Sequence, residues 1–417
     1  MVTHAVTRSR TSVPAFAERI FEPLPRTDQR RWAHVYLQSL LSTPGKKSVR
    51  RLAAAVSDSP TASQSLHQFI NASPWEWTPV REELARWAEP RLAPQALVVD
   101  LAVLRKRGEH SCGVHRRFVR ATGRSVSCQV GIGAFLAAAD EAVPVDWRLL
   151  LPGAWAKDPE RRTRTRIPEH VGPRGIDQHV LDLADARIGG ARVASLPVVA
   201  DLSGESGAGA LVRGLSVRKR EFIVGVPGRL RIMAGRHLSA ESPFGRPYGA
   251  AEPGVMVDAR SLFETRAGGL VRIETVTPPS GRGRAAMVLT SSVRLPEIPA
   301  AGPLLNRTYR LFAVRPVGGR GPAKLWLTNM TQTRMETLLA MVRLPSRTAR
   351  SVQELEEDFG LVDFEGRSFP GWHHHMTMLS AAYAFSRLGR PAGTSEVASE
   401  AGGGACEAGS GEGLVAA

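Results

Sequence analysis

Two aspartates of this 417-residue chain sit where a carboxylate is costly unless something holds it. Ala96-Leu-Val-Val is an apolar run bounded by Pro94 and a charged loop, so it reads as a short buried strand ending in Asp100. Pro197-Val-Val-Ala-Asp201 repeats the pattern, 201 − 100 = 101 residues further on. A carboxylate at the margin of an apolar strand needs a hydrogen bond, a cation or a metal ion. Taken alone, Asp100 fits a cap on the following turn equally well. Two such strands in one sheet would set their carboxylates side by side. Charges about 4 Å apart repel strongly, and a divalent cation relieves the repulsion. Two Mg2+ ions held by Asp100 and Asp201 would suit phosphodiester cleavage.

Cations gather after the first strand. Arg105, Lys106, Arg107, Arg116, Arg117, Arg120 and Arg124 have a single acid among them, Glu109, and Arg161, Arg162, Arg164 and Arg166 form a second cluster. Such side chains hold a phosphate backbone without reading sequence. Lys46, Lys47, Arg50 and Arg51 lie on a basic helix that reads either as a solvated face or as a phosphate contact. Across the chain, 55 Lys and Arg against 39 Asp and Glu give a formal charge of +16, which points to a polyanionic partner such as nucleic acid. A coding sequence rich in G and C would also enrich arginine. Cys112, Cys128 and Cys406 form neither an even set nor a metal spacing, and no apolar stretch is long enough to span a bilayer. A cytoplasmic protein is expected.

The elements that must position these groups follow from periodicity. Residues 1–14 are polar and read as disordered. Helical spacing over Phe16–Leu41, broken at Pro23 and Pro25, then over Lys46–Val56, Thr61–Phe69 and Thr78–Trp87, predicts an all-helical DNA-binding domain at 15–94. From 95 to 226 the expected order is strands at Leu97–Ala102, Ser125–Leu136 and Val145–Leu151, a helix at Asp177–Arg187, a strand at Arg192–Asp201, a helix at Ala210–Val217 and a strand at Phe222–Val226. That is the order of an RNase H-like core, whose first and fourth strands are neighbours. Over 227–330 the helical signal disappears, and alternating runs at Leu270–Val276, Ala286–Thr290, Tyr309–Val314 and Lys324–Thr328 predict a β-rich insertion. Helices at Thr331–Val342, Ser346–Asp358 and Gly371–Leu388 would complete the core over 331–388, and the Gly-rich stretch 389–417 reads as a disordered tail. The fold class is α/β: an RNase H-like mixed sheet flanked by helices, with an N-terminal helical domain and a β-rich insertion.

Several segments taken in order resemble the DDE transposases of the IS701 insertion-sequence type, related to the wider IS4-like group. They are Val98-Val-Asp-Leu with Arg105-Lys-Arg-Gly-Glu-His-Ser-Cys-Gly-Val-His-Arg-Arg-Phe; Ser127-Cys-Gln-Val; Asp146-Trp-Arg-Leu-Leu-Leu-Pro with Trp155 and Asp158-Pro-Glu-Arg-Arg; Val198-Val-Ala-Asp; and Phe359-Gly-Leu with Gly371-Trp-His-His-His. The resemblance spans roughly residues 15–390. It implies an RNase H-like catalytic domain with a β-rich insertion before its last acid, two Mg2+ ions, cleavage and joining of transposon-end DNA, and a homodimer acting across paired ends.

The departures concern the acids. In the family the first strand ends in two Asp, the second on the metal, whereas here the run is Asp100-Leu101-Ala102-Val103. Side chains alternate along a strand, so a carboxylate moved by one residue is expected on the opposite side of the sheet. Asp201 matches the second acid. The third belongs on a helix beginning Arg-Trp-x-Ile-Glu, and counting back from Phe359-Gly-Leu puts Ala349 or Arg350 at its place. Glu354, Glu356 and Glu357 are nearby, but Glu354, five residues from Ala349, points about 140° away from that position on a helix. The catalytic candidates are therefore Asp100, Asp201, Glu354 and Glu356, with Asp100 and Asp201 as metal ligands. The sequence reads as a DDE-family DNA-binding protein with an impaired triad. An active transposase using one of the three glutamates is one alternative; a structural or partner-binding protein with a compositionally basic surface is another.

Other motifs carry less. His373, His374 and His375 point about 100° apart on a helix and cannot share one ion, which leaves packing or phosphate contact. Gly204-Glu-Ser-Gly-Ala-Gly lacks the Lys-Ser/Thr of a phosphate loop and reads as a strand-to-helix turn. Cys112 and Cys128 have no partner for nucleophilic chemistry, and Trp75, Trp77 and Trp87 are expected in the helical core.

Overall fold

The computed structural model describes residues 11–119, 122–186, 188–234, 255–265, 271–276, 284–296, 307–316 and 323–389. The disorder expected over 1–14 and 389–417 lies outside the described residues except at its inner edges, where Val13 and Pro14 already belong to the first helix. Arg120 and Cys406 also lie outside them.

Five helices open the chain: α1 (Val13–Phe21), α2 (Thr27–Ser42), α3 (Val49–Ala54), α4 (Ala62–Asn71) and α5 (Trp77–Leu92). Ser12 starts α1 by accepting from the Ala15 N–H at 3.3 Å. Ala93 ends α5 in the left-handed conformation, at φ 48, and the chain turns into β1 (Ala96–Arg105). That strand is longer than expected, so Asp100 lies in mid-strand rather than at a strand end. β2 (His115–Val119) forms where a loop was expected, because its backbone pairs with β3 (Arg124–Ala137), with Phe118 opposite Ser125. β4 (Ala142–Leu149) pairs further along β3.

Four helices, α6 (Ala154–Lys157), α7 (Pro159–Thr165), α8 (Ile176–Asp185) and α9 (Ala191–Ser195), lead to β5 (Val198–Asp201). The strand expected from Arg192 is therefore a helix in its first half. Gly189 and Gly190, at φ 74 and 101, turn the chain into α9, and Pro197, which has no N–H, follows its end. After α10 (Ala208–Val217) and β6 (Phe222–Val226) come β7 (Arg231–Ala234), β8 (Val255–Asp258) and α11 (Ala259–Thr265), a helix in a region expected to hold none. β9 (Val271–Val276), β10 (Arg284–Val293), β11 (Tyr309–Pro316) and β12 (Lys324–Thr328) precede α12 (Met335–Met341), α13 (Leu344–Glu357) and α14 (Phe369–Leu388).

Ten strands make one sheet in the order β2-β3-β1-β5-β6-β12-β11-β10-β9, with β4 also on β3. β1, β5 and β6 are mutually parallel at its centre, and the other pairings are antiparallel. The expected adjacency of the two aspartate strands is present, with Leu97 beside Val198 and Val99 beside Ala200. β9–β12, expected as part of an insertion, continue the central sheet through β12 and β6, whereas β7 and β8 form a separate pair. The result is a mixed α/β architecture, a large mixed sheet flanked by helices, as an RNase H-like core requires.

α14 is buried on nearly every side and is packed by α2, α4, α5 and β4. The three histidines are therefore interior. His374 stacks on Trp75 at 3.9 Å between ring centroids, and His373 stacks on Trp77 at 4.5 Å. Burial holds all three well toward the neutral form, His374 at about 4 and His375 at about 3. Packing is their role, and phosphate contact is ruled out by their burial. Trp75 and Trp87 fill the core as expected, with Trp77 partly buried against it.

Candidate active site

β1 and β5 run in parallel register, so Asp100 follows Val99 to lie abreast of Asp201, which follows Ala200. This corrects the expectation that position 100 would face the wrong side. Asp100 shares a sheet face with Asp201, and the two carboxylates feel each other's charge. α13 crosses above β1 and β5 and presents Thr348, whose hydroxyl donates to Asp100 Oδ2 at 2.5 Å. The helix thus offers Thr348 to the site, one residue before Ala349, while Ala349 and Arg350 are exposed. The other Asp100 oxygen accepts from the Leu101 N–H at 2.8 Å.

Asp201 is also fully engaged. Its Oδ1 accepts from the Ser203 N–H at 3.1 Å, and its Oδ2 pairs with the Lys324 ammonium from the start of β12. Gly225 of β6 lies directly beside Asp201, and a Cβ there would come within 2.4 Å of Asp201 Oδ1, so only glycine leaves that carboxylate its place. Residues 202–207 form the strand-to-helix turn expected of the Gly204 segment.

The two carboxylates titrate in opposite directions. Burial raises Asp100, and the neighbouring Asp201 adds to this against the hydrogen bonds from Thr348 and Leu101. Burial raises Asp201 too, but the Lys324 bond and charge and the Ser203 bonds outweigh it and leave it lowered. A raised acid stabilises the fold only below its ordinary range and loses this as pH rises through its folded value. A lowered one stabilises above its ordinary range and loses this as pH falls through its folded value. Asp100→Asn is therefore expected to raise thermal stability at pH 7, by about 1 kcal/mol. Asp201→Asn should lower it by at most about 1 kcal/mol, because Lys324 is half exposed. Thermal unfolding at pH 7 and again near pH 3 checks both signs, since the difference should shrink in acid.

Neither glutamate candidate is brought to this pair. Glu354 accepts from Tyr383 Oη at 2.7 Å and from Arg350 Nε at 3.0 Å and pairs with Arg387, so it ties α13 to α14. Glu356 has Glu357 and Arg105 as its charged neighbours, and Arg105 lies five residues past Asp100 on β1, about 17 Å away. Among the described residues no group of three His, Cys, Asp or Glu could hold a metal ion. A two-metal centre needs carboxylate oxygens free to turn onto the ions, and all four oxygens of Asp100 and Asp201 already have partners. The residues present do not fit that centre.

The cations expected at DNA divide into two sets. Lys47 donates to the Leu40 and Thr43 carbonyls, and Lys106 to the Val362 and Phe364 carbonyls at 3.1 and 3.0 Å, where burial lowers it to about 8. Arg162 clamps the Ala156, Pro168 and Val171 carbonyls, and Arg166 holds the Asn71 carbonyl and Ser368. Arg117 pairs with Glu205 at 2.5 Å, Arg161 with Asp158 at 3.4 Å and Arg164 with Glu160 at 3.8 Å, and Arg51 donates to the Pro44 carbonyl. By contrast, the side chains of Lys46, Arg50, Arg105, Arg107, Arg116 and Arg124 are exposed and make no hydrogen bond or ion pair with another described residue, although the charge of Arg105 is felt by Glu356. Arg116 alternates on β2 with Phe118, which is 59% exposed and shares its face. Cys112 and Cys128 are buried, and burial pushes the Cys112 thiol up to about 12, which leaves it inert.

Thr348, Lys324 and Phe118 were missed in the sequence. Only Lys324 left a signal, as a cation opening the apolar strand Leu325-Trp-Leu.

A mixed sheet with two aspartates abreast on adjacent parallel strands and a helix across them has the arrangement of an RNase H-like fold. Residues 19–259 match the family described as DDE superfamily endonuclease, and the chain belongs to that family. The match includes β1 and β5 with both aspartates and ends before α13. No curated protein matches the chain. Among the described residues no helix is long and apolar enough to cross a membrane.

Proposed function

We propose that this chain is a DNA-binding member of the DDE superfamily, of the IS701 insertion-sequence type, whose catalytic triad is impaired: a decayed transposase or a regulator derived from one. The observation that carries this reading is Thr348, a hydroxyl where the helix across the sheet would have to offer the third carboxylate. Family membership supplies DNA as the substrate class and a divalent metal as the usual cofactor. The six uncommitted cations support backbone contact; Arg50 is on α3, whereas Lys46, expected on the same helix together with Lys47, lies in the loop ahead of it. A homodimer across paired DNA ends and a cytoplasmic, nucleoid-associated location belong to the same reading.

The active-transposase alternative needs Glu354, Glu356 or Glu357 at the site, and the Glu354 contacts to Tyr383 and Arg387 and the Glu357 bond to Gln353 weigh against it. The test is duplex binding by fluorescence anisotropy at two salt concentrations, on the wild type and on an Arg105→Ala/Arg107→Ala/Arg116→Ala variant. Salt-sensitive binding that weakens in the variant is expected. Binding that is absent, or indifferent to salt and to the variant, contradicts it.

A further inference from the structure

The Lys324 ammonium has a more specific place than a surface lysine. β6 lies between β12 and β5, so Lys324 reaches Asp201 across an intervening strand, about 9–10 Å from its own. It can do so because the β6 residue abreast of Asp201 is Gly225, whose missing side chain leaves the face open. Trp326 follows two residues later on the same face, and the ammonium rests 5.2 Å from its ring centroid. The lysine is thus held from below by an aromatic face and from the side by a carboxylate. Its charge also reaches Asp100, where it opposes the rise that burial imposes. One fixed positive charge therefore acts on both carboxylates, as a bridging cation would.

We propose that Lys324 is the resident cation of the Asp100–Asp201 pair and excludes a divalent ion from it. This does not depend on the DNA-binding reading above. A divalent ion would have to displace the ammonium from Asp201 and the Thr348 hydroxyl from Asp100. Removing the ammonium alone should open a weak site.

The test is a Mn2+ titration followed by electron paramagnetic resonance at pH 7.5, with no DNA present, on the wild type, Lys324→Met and Lys324→Met/Asp201→Asn. The wild type should show no site tighter than about 1 mM, roughly −4 kcal/mol of binding free energy. Lys324→Met should bind one Mn2+ at least tenfold more tightly, and the added Asp201→Asn should abolish that gain. Lys324 is half exposed at a strand start, so its replacement leaves the core intact; circular dichroism on each variant checks this. The proposal is overturned if the wild type binds Mn2+ tightly through Asp201, or if Lys324→Met binds no better than the wild type. Because DNA takes no part, a failure here leaves the DNA-binding reading standing, and the absence of DNA binding would leave this result intact.

Discussion

Replacing Arg81 by methionine is expected to cost about 3 kcal/mol of stability, the low end for breaking a buried ion pair. Arg81 sits on α5, fully buried, and spends its donors on two other elements. It donates to Asp146 Oδ1 at 2.6 Å and the Trp147 carbonyl at 2.9 Å on β4, and to Thr377 Oγ1 at 2.7 Å and the His373 carbonyl at 2.9 Å on α14. Burial pulls the guanidinium down to about 10 while Asp146 supports it, so it remains charged at neutral pH. Methionine would leave Asp146 buried and two carbonyls without their donor. Arg148 still reaches Asp146 at 3.0 Å, which is why the low end of the range applies. Adding Asp146→Leu should recover most of the loss, because the uncompensated charge goes with it. Chemical denaturation of the two variants measures this. A single variant within about 1 kcal/mol of wild type would show that the pair does not join the helices to the sheet.

The second large effect concerns DNA. If the six predicted cations whose exposed side chains make no hydrogen bond or ion pair with another described residue each meet a phosphate, duplex affinity should fall roughly a thousandfold between about 50 and 200 mM salt. Each neutralised cation should flatten the logarithmic salt slope by about 0.9, so Arg105→Ala/Arg107→Ala/Arg116→Ala should reduce it by nearly three. Lys47 and Lys106 are bound to carbonyls, so their replacement should change stability and leave the slope alone. Equal slopes for the wild type and the triple variant would place the DNA elsewhere on the molecule.

The aspartate pair was legible because both strands announce themselves locally: an apolar run and then an acid, twice. Which face Asp100 occupies was not, because the parallel register of Val99 with Ala200 decides it and no residue near either strand encodes that register. The helix carrying Thr348 was visible in its periodicity, yet the residue aimed at the sheet depends on how α13 docks, and counting from a distant motif pointed instead to Ala349 or Arg350, one and two residues on. Lys324 lies 324 − 201 = 123 residues from its partner and meets it across β6, a contact set by strand order alone. Arginine clusters misled for a similar reason. Arg162 and Arg166 look like phosphate ligands in a run of basic residues, but their carbonyl partners are provided by the folded loop and by α4. The strand at Arg192 failed where two glycines and a proline overrode a β-branched pattern.

We propose that this DDE-family chain engages DNA without cutting it. The most direct measurement is a nicking assay on the DNA flanking its gene, with Mg2+ and then Mn2+, run at a protein concentration that saturates binding. Bound and intact DNA with either ion is the predicted result. Cleavage that disappears in Asp201→Ala would contradict the account and show that Asp100 and Asp201 still work as a catalytic pair.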